Sequence, residues 1–158
     1  MKCKALLAAA WISLAPALPA FAADVPEVEL TWMSIANWYI KIGDMRIVLD
    51  GYITRLPGAP FFYAPKSYPK DPYAYTKAPA LVDVAAVTKV RDAMLGGAKL
   101  DYVLSGHSHW DHSWDTPTWT RLTGAAMIGG RSSCFQAAAQ GVAPAQCRVV
   151  NGGEKIDL

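Results

Sequence analysis

An α/β layered domain is the fold class this sequence predicts, on three observations. Short apolar runs bounded by turn residues alternate with stretches of helical periodicity. Hydrophobic residues make up 53% of the 158 and charged ones only 18%, ample for one packed core. No internal repeat or low-complexity tract interrupts the pattern.

The first 22 residues stand apart from that domain. Lys2 and Lys4 precede an apolar core from Ala5 to Leu14, and Ala20–Ala22 supplies small residues for cleavage, the three parts of a secretory signal peptide. Pro16 and Pro19 interrupt the run, so its uninterrupted part is too short to span a bilayer core of about 30 Å. The expected organisation is a leader over 1–22 and one domain over 23–158, exported to the periplasm or secreted, with no membrane attachment after cleavage. Of the 15 basic residues two lie in the leader, which leaves 13 against 13 acids in the mature chain. That balance argues against nucleic acid or an anionic membrane surface as partner and leaves a small molecule as the expected one.

Export also bears on the cysteines. Cys134 and Cys147 are the two in the mature chain, an even number in an oxidising compartment, which favours a disulfide between them over two buried thiols or metal ligation.

The elements follow in order. Residues 28–55 read as strands, with a hairpin turn at Gly43–Asp44 and the apolar run "MRIVLD" ending in Asp50. Residues 55–80 carry six prolines (57, 60, 65, 69, 72 and 79) and as many Phe and Tyr, the composition of a long ordered loop or flap that could cover a substrate or simply pack. From Leu81, apolar residues recur at helical spacing through Val84, Val87 and Val90 until Gly96–Gly97 ends the helix. "KLDYVLS" is a buried strand. "DTPTWTRLTG" begins a helix with Asp115 or Thr116 as N-cap, Pro117 in the first turn and Gly124 as its end. "AAMIG" and "CRVV" read as strands around a short helix "SSCFQAAAQG", and the turn "NGG" leads into a last expected strand, "EKIDL". A chain that stops directly after such a turn is expected to be a fragment of a longer protein.

Chemistry concentrates in "SGHSHWDHSWD", Ser105–Asp115. It holds every histidine of the chain, His107, His109 and His112, together with Asp111. Imidazole nitrogen and carboxylate oxygen are the ligand set of zinc or a similar transition metal, at about 2.0–2.2 Å. Spacing of two lets His107 and His109 point the same way from an extended segment, while Asp111 and His112 follow where the chain turns and can face a second ion. A pair of ions about 3.5–4 Å apart can hold both sides of a hydrolytic transition state.

The motif "HSHWDH" resembles the H-x-H-x-D-H signature of the metallo-β-lactamase superfamily, and "IKIGDMRIVLDG", "RLTGAAMIGG" and "GGEKIDL" resemble its early strands and the elements after its metal loop, most like the lactonase-type branch. The resemblance implies an αββα sandwich, of which this chain would be the N-terminal half and the missing C-terminal half a required partner. It implies one or two zinc ions, His107 and His109 on the first, Asp111 and His112 on the second, with Asp111 also catalytic and Asp50 a partner steadying the loop. The activity implied is a metal-dependent hydrolysis in which a metal-bound hydroxide attacks an ester, lactone, amide or phosphoester. Asp50 reads almost as well as a turn residue after a strand, Asp115 better as a helix cap than a ligand, and Trp110 and Trp114 as walls of the site or, more simply, as core. Three positions depart from the family. No histidine follows His112, "SWD" replaces the usual Gly-Gly, and Asn37 stands where lactonase-type relatives often have histidine. Two alternatives to the hydrolase stay open: a non-catalytic metal-binding remnant of the fold, and a secreted β-lactamase.

Overall fold

The computed structural model describes residues 25–55 and 81–158. The expected leader and all but the first residue of the Pro- and Tyr-rich stretch lie outside the described residues. Elements run β1 (Val28–Trp32), β2 (Trp38–Ile42), β3 (Met45–Leu49), α1 (Val84–Leu95), β4 (Tyr102–Ser105), α2 (Trp110–Ser113), α3 (Thr116–Thr123), β5 (Ala126–Gly129), α4 (Arg131–Ala139), a 3-10 turn (Pro144–Gln146) and β6 (Cys147–Val149). The described strands form a single sheet in the order β1-β2-β3-β4-β5-β6. β1 to β3 pair antiparallel and β3 to β6 parallel. This is the mixed α/β architecture expected from the sequence.

The antiparallel part is built by hairpins. Ile42 pairs with Met45 across Gly43–Asp44, and Gly43 takes φ 57°, which a two-residue turn matching the twist of the strands requires. In the parallel part, helices carry the chain back between strands. α1 starts where Asp83 accepts a hydrogen bond from the Ala86 amide at 2.9 Å and stops at Gly96 in the left-handed conformation. α3 has Pro117 in its first turn and Gly124 as its left-handed C-cap.

Alternation along the strands sends Tyr39, Val48 and Val103 to one face, where they pack with Val87, Leu95, Leu100, Trp119 and Ala125 in the main core. A second, smaller cluster of Met127, Ala137 and Val142 lies under α4. Cys134 on α4 and Cys147 on β6 form the expected disulfide beside it, with Cα atoms 5.7 Å apart. On the opposite face, Val28, Leu30 and Trp32 of the edge strand are more than half exposed.

The final strand does not form. Gly152 and Gly153 both take positive φ, 98° and 85°, and residues 154–158 leave the sheet edge without pairing. Ile156 and Leu158 instead share a pocket with Leu49, Leu104 and Ile128 on the exposed face. Covering apolar side chains outweighs one more rung beside a β6 of only three residues. No helix among the described residues is long and apolar enough to cross a membrane.

Candidate metal centre

Parallel pairing delivers the ends of β3 and β4 to one sheet edge, with Leu49 opposite Leu104. The residues immediately beyond those ends carry the chemistry, Asp50 after β3 and the histidine loop after β4. Such a carboxyl edge is where open α/β sheets bind ligands.

Hydrogen bonds anchor the loop. Ser105 Oγ lies 3.1 Å from the His107 carbonyl and 3.0 Å from Ser133 Oγ at the start of α4. The fully buried Ser113 hydroxyl sits 2.8 Å from Gln136 Oε1 and within 3.1 Å of the Ser108 and His109 carbonyls. Between these anchors the three imidazoles gather. His107 and His109 meet edge to face at 4.1 Å between ring centres, and His107 and His112 at 5.0 Å. The short helix α2 places Asp111 and His112 in one turn, with Asp111 Oδ2 3.8 Å from His112 Nε2.

Asp50 is buried, 4% exposed, and both its oxygens serve this loop. Oδ1 accepts from the Gly106 amide at 2.8 Å, and Oδ2 lies 2.8 Å from His112 Nδ1. A carboxylate only accepts, so Nδ1 is the donor in this contact, and Nε2 is turned towards Asp111. Both contacts tie Asp50 to the histidine loop.

That geometry fits a metal in part. The donor types suit zinc, and the 3.8 Å between His112 Nε2 and Asp111 Oδ2 is compatible with both reaching one ion at about 2.0–2.2 Å. Among the described residues, however, no three His, Cys, Asp or Glu side chains bring their donors into a ready cage. A cavity of about 250 Å³ opens against the loop, lined by Gly106, His107, Ser108, Arg131 and Ser132 among others. A more apolar one of about 350 Å³ lies over Cys134 and Cys147, with no histidine in its lining.

Asp50 also has an unusual backbone. Its φ is +62°, and the Gly51 amide donates to the Leu49 carbonyl at 2.8 Å, closing a three-residue turn. With the central residue at positive φ this is the rare, strained form of the γ-turn, and such conformations cost on the order of 1–3 kcal/mol unless the surroundings impose them. Gly51 must be glycine, because a Cβ there would meet Trp119 Nε1 and Val48 Cγ1, each at 2.8 Å.

Two buried residues hold the strand of chain that follows, and sequence reasoning gave neither that role. Asn37 donates from Nδ2 to the Tyr52 carbonyl at 2.7 Å and accepts from the Tyr52 amide at 3.1 Å. Asp115 occupies the N-cap position of α3, but its side chain makes no capping bond. The expectation of a helix cap is corrected: Oδ2 instead accepts from the Ile53 and Thr54 amides at 2.7 and 2.6 Å. These amides lie outside any strand and need acceptors, a demand stronger than that of a helix end. Burial raises the Asp115 pKa above the ordinary carboxylate range, against the lowering effect of the Thr54 and Ile53 amides. Oδ1 is buried with no hydrogen-bond partner. Trp110 meets Tyr52 edge to face at 5.5 Å, and Trp114 is half-buried.

A solved metallo hydrolase, Igni18 from the hyperthermophilic archaeon Ignicoccus hospitalis, superposes on this chain with a TM-score of 0.50. The likeness is one of fold. Sequence identity is 21%, and the match covers 83% of this chain but 42% of Igni18, so the chain spans less than half the length of that neighbour. No protein-family model matches the chain, and no curated protein matches it in sequence.

Proposed function

We propose that the chain is the metal-binding half of an exported, zinc-dependent hydrolase of the metallo-β-lactamase superfamily, acting on an ester, lactone, amide or phosphoester. His107 and His109 would hold one ion, and Asp111 and His112 a second. The observation that carries this reading is the Asp50–His112 contact of 2.8 Å, which leaves Nε2 facing Asp111. A carboxylate behind an imidazole is the usual way a protein fixes the tautomer of a metal ligand. The signature "HSHWDH" and the metallo hydrolase with a similar fold support the same reading. The disulfide and the leader composition support export.

Zinc in such a site supplies Lewis acidity, activating water near neutral pH and polarising the bond to be cleaved. The chain's own residues do the rest. Asp50 holds the Gly106 amide and the His112 ring in place, and Asp111 offers a carboxylate able to orient an attacking water. Arg131 and the serines beside His107 form the wall nearest the loop.

A second reading is a non-catalytic metal-binding remnant of the fold, in which the donors of the histidine loop, short of a three-donor cage among the described residues, hold an ion weakly. Metal content by inductively coupled plasma mass spectrometry separates these readings from an inert fold. Near two zinc per chain in the native product, lost in a His107→Ala/His109→Ala double variant, supports a dinuclear site. No metal above that variant would sink both. A panel of esters, lactones, phosphodiesters and a chromogenic cephalosporin then tests hydrolysis and decides the β-lactamase alternative. Replacing Asp50 with alanine is expected to lower zinc affinity roughly 10–100-fold.

A further inference from the structure

We infer that Asn37 and Asp115 are positioning residues: by holding the chain after the strained Asp50 turn, they fix the orientation and tautomer of His112. The functional weight of that orientation rests on the metal reading above, but the arrangement is a property of the chain's own residues.

A non-glycine residue at φ +62° persists only where its neighbours over-determine it. The neighbours on the strand side are clear. The Asp50 amide donates to the Leu104 carbonyl at 2.8 Å, which extends the β3–β4 ladder by one rung. Beyond the Gly51 amide, which closes the turn on the Leu49 carbonyl, the segment has no ladder to join and side chains supply its long-range restraints. Trp119 Nε1 donates to the Gly51 carbonyl at 2.8 Å, Asn37 takes both polar groups of Tyr52, and Asp115 takes the amides of Ile53 and Thr54. Four consecutive residues are thereby held from two segments distant in sequence, the loop at Asn37 and the first turns of α3. Thr54 passes the restraint on, its Oγ1 accepting from the Asp83 amide at 2.9 Å where α1 begins.

The investment is unusual for a connection. Asp115 is fully buried at a cost to its ionised form, and its Oδ1 is buried without a hydrogen-bond partner. Asn37 is fully buried as well, in a loop where Ser34 and Ile35 both take positive φ. Both aim at the same five-residue stretch, and the one group in that stretch with chemistry to perform is the Asp50 carboxylate. If either restraint is released, Asp50 can relax towards negative φ and withdraw from the Gly106 amide and the His112 ring.

The test reads the ring itself in the metal-free full chain. Because the chain has three histidines, long-range proton–nitrogen correlation spectra resolve each ring and report its tautomer at about pH 8.5, well above the ordinary histidine pKa of about 6.5. In the parent, His112 is expected in the form protonated on Nδ1. In Asp115→Ala and Asn37→Ala, it is expected to move to the Nε2-protonated form, with Asp115→Asn, which keeps an acceptor for both amides, restoring the parent pattern. Unchanged His112 signals in both alanine variants, with their core amide spectra intact, would overturn the inference. Hydrogen exchange on the unmodified chain decides it should those variants not fold. The amides of Tyr52, Ile53 and Thr54 are expected to exchange at rates within about tenfold of the Gly106 amide, as one opening unit. Exchange more than a hundredfold faster than Gly106 would mean that the Asp50 contact survives without the tether, and would overturn it equally.

Discussion

The two cores of this sheet are held by different means. The main one is made of volume: Trp119, Val48, Val87 and Val103 are fully buried in a contiguous cluster beneath α1 and α3. The one under α4 has Met127, Ala137 and Val142 and little else, and there Cys134 and Cys147 are joined covalently. A small cluster cannot bury enough apolar area to order a nine-residue helix against a three-residue strand, and a cross-link supplies what packing lacks. The edge that carries Asp50 and the histidine loop is anchored to both, through Trp119 to Gly51 on one side and through Ser105 to Ser133 on the other.

Breaking each core sharpens the contrast. Trp119→Ala should cost most, about 3–5 kcal/mol in urea unfolding, because it opens a cavity and strips the Gly51 carbonyl of its donor. Removing the disulfide by a Cys134→Ala/Cys147→Ala double substitution should cost about 3 kcal/mol for so short a loop. Its hydrogen-exchange signature should be confined to α4 and β6. Equal acceleration in α1 would show instead that the two cores open as one. Val142→Ala, in the small core, should cost about 1.5 kcal/mol while the disulfide is intact. The smallest effect concerns pH. Asp115 has a raised pKa in the folded chain, so its contribution is fully present below the ordinary carboxylate pKa and lost as pH rises through the folded value. Asp115→Asn should therefore gain stability relative to the parent as pH increases across that window. A difference that stays flat from acid to neutral pH would contradict the burial-raised pKa.

What could be read in the sequence follows from range. The Gly43–Asp44 hairpin, the helix closed by Gly96 and the strand leading into the histidines are local signals, and each stands where expected. An even count of cysteines, with an oxidising compartment as the expectation, pointed to the Cys134–Cys147 bond that the structure holds. Asp50 was legible as a candidate only through its place after an apolar strand. The roles of Asn37 and Asp115 were not legible, because their partners lie 15 and about 60 residues away and are backbone groups, which have no identity in a sequence. Asp115 even carries a misleading local signal, since Asp before Thr-Pro reads as a cap. The tail misled in the same way: "EKIDL" alternates like a strand, but two glycines at positive φ turn it from the sheet edge onto the sheet face.

Asp50 sits one rung past the last paired residues of β3 and β4, and its amide and its carboxylate both bond to the neighbouring chain. It thus acts as an inspection point for strand alignment. A slip of one residue between these parallel strands would turn Val48 out of the core and, in the same movement, point the Asp50 carboxylate away from Gly106 and His112. A misaligned chain would therefore lose its core packing and the Asp50 contacts to the histidine loop in one movement.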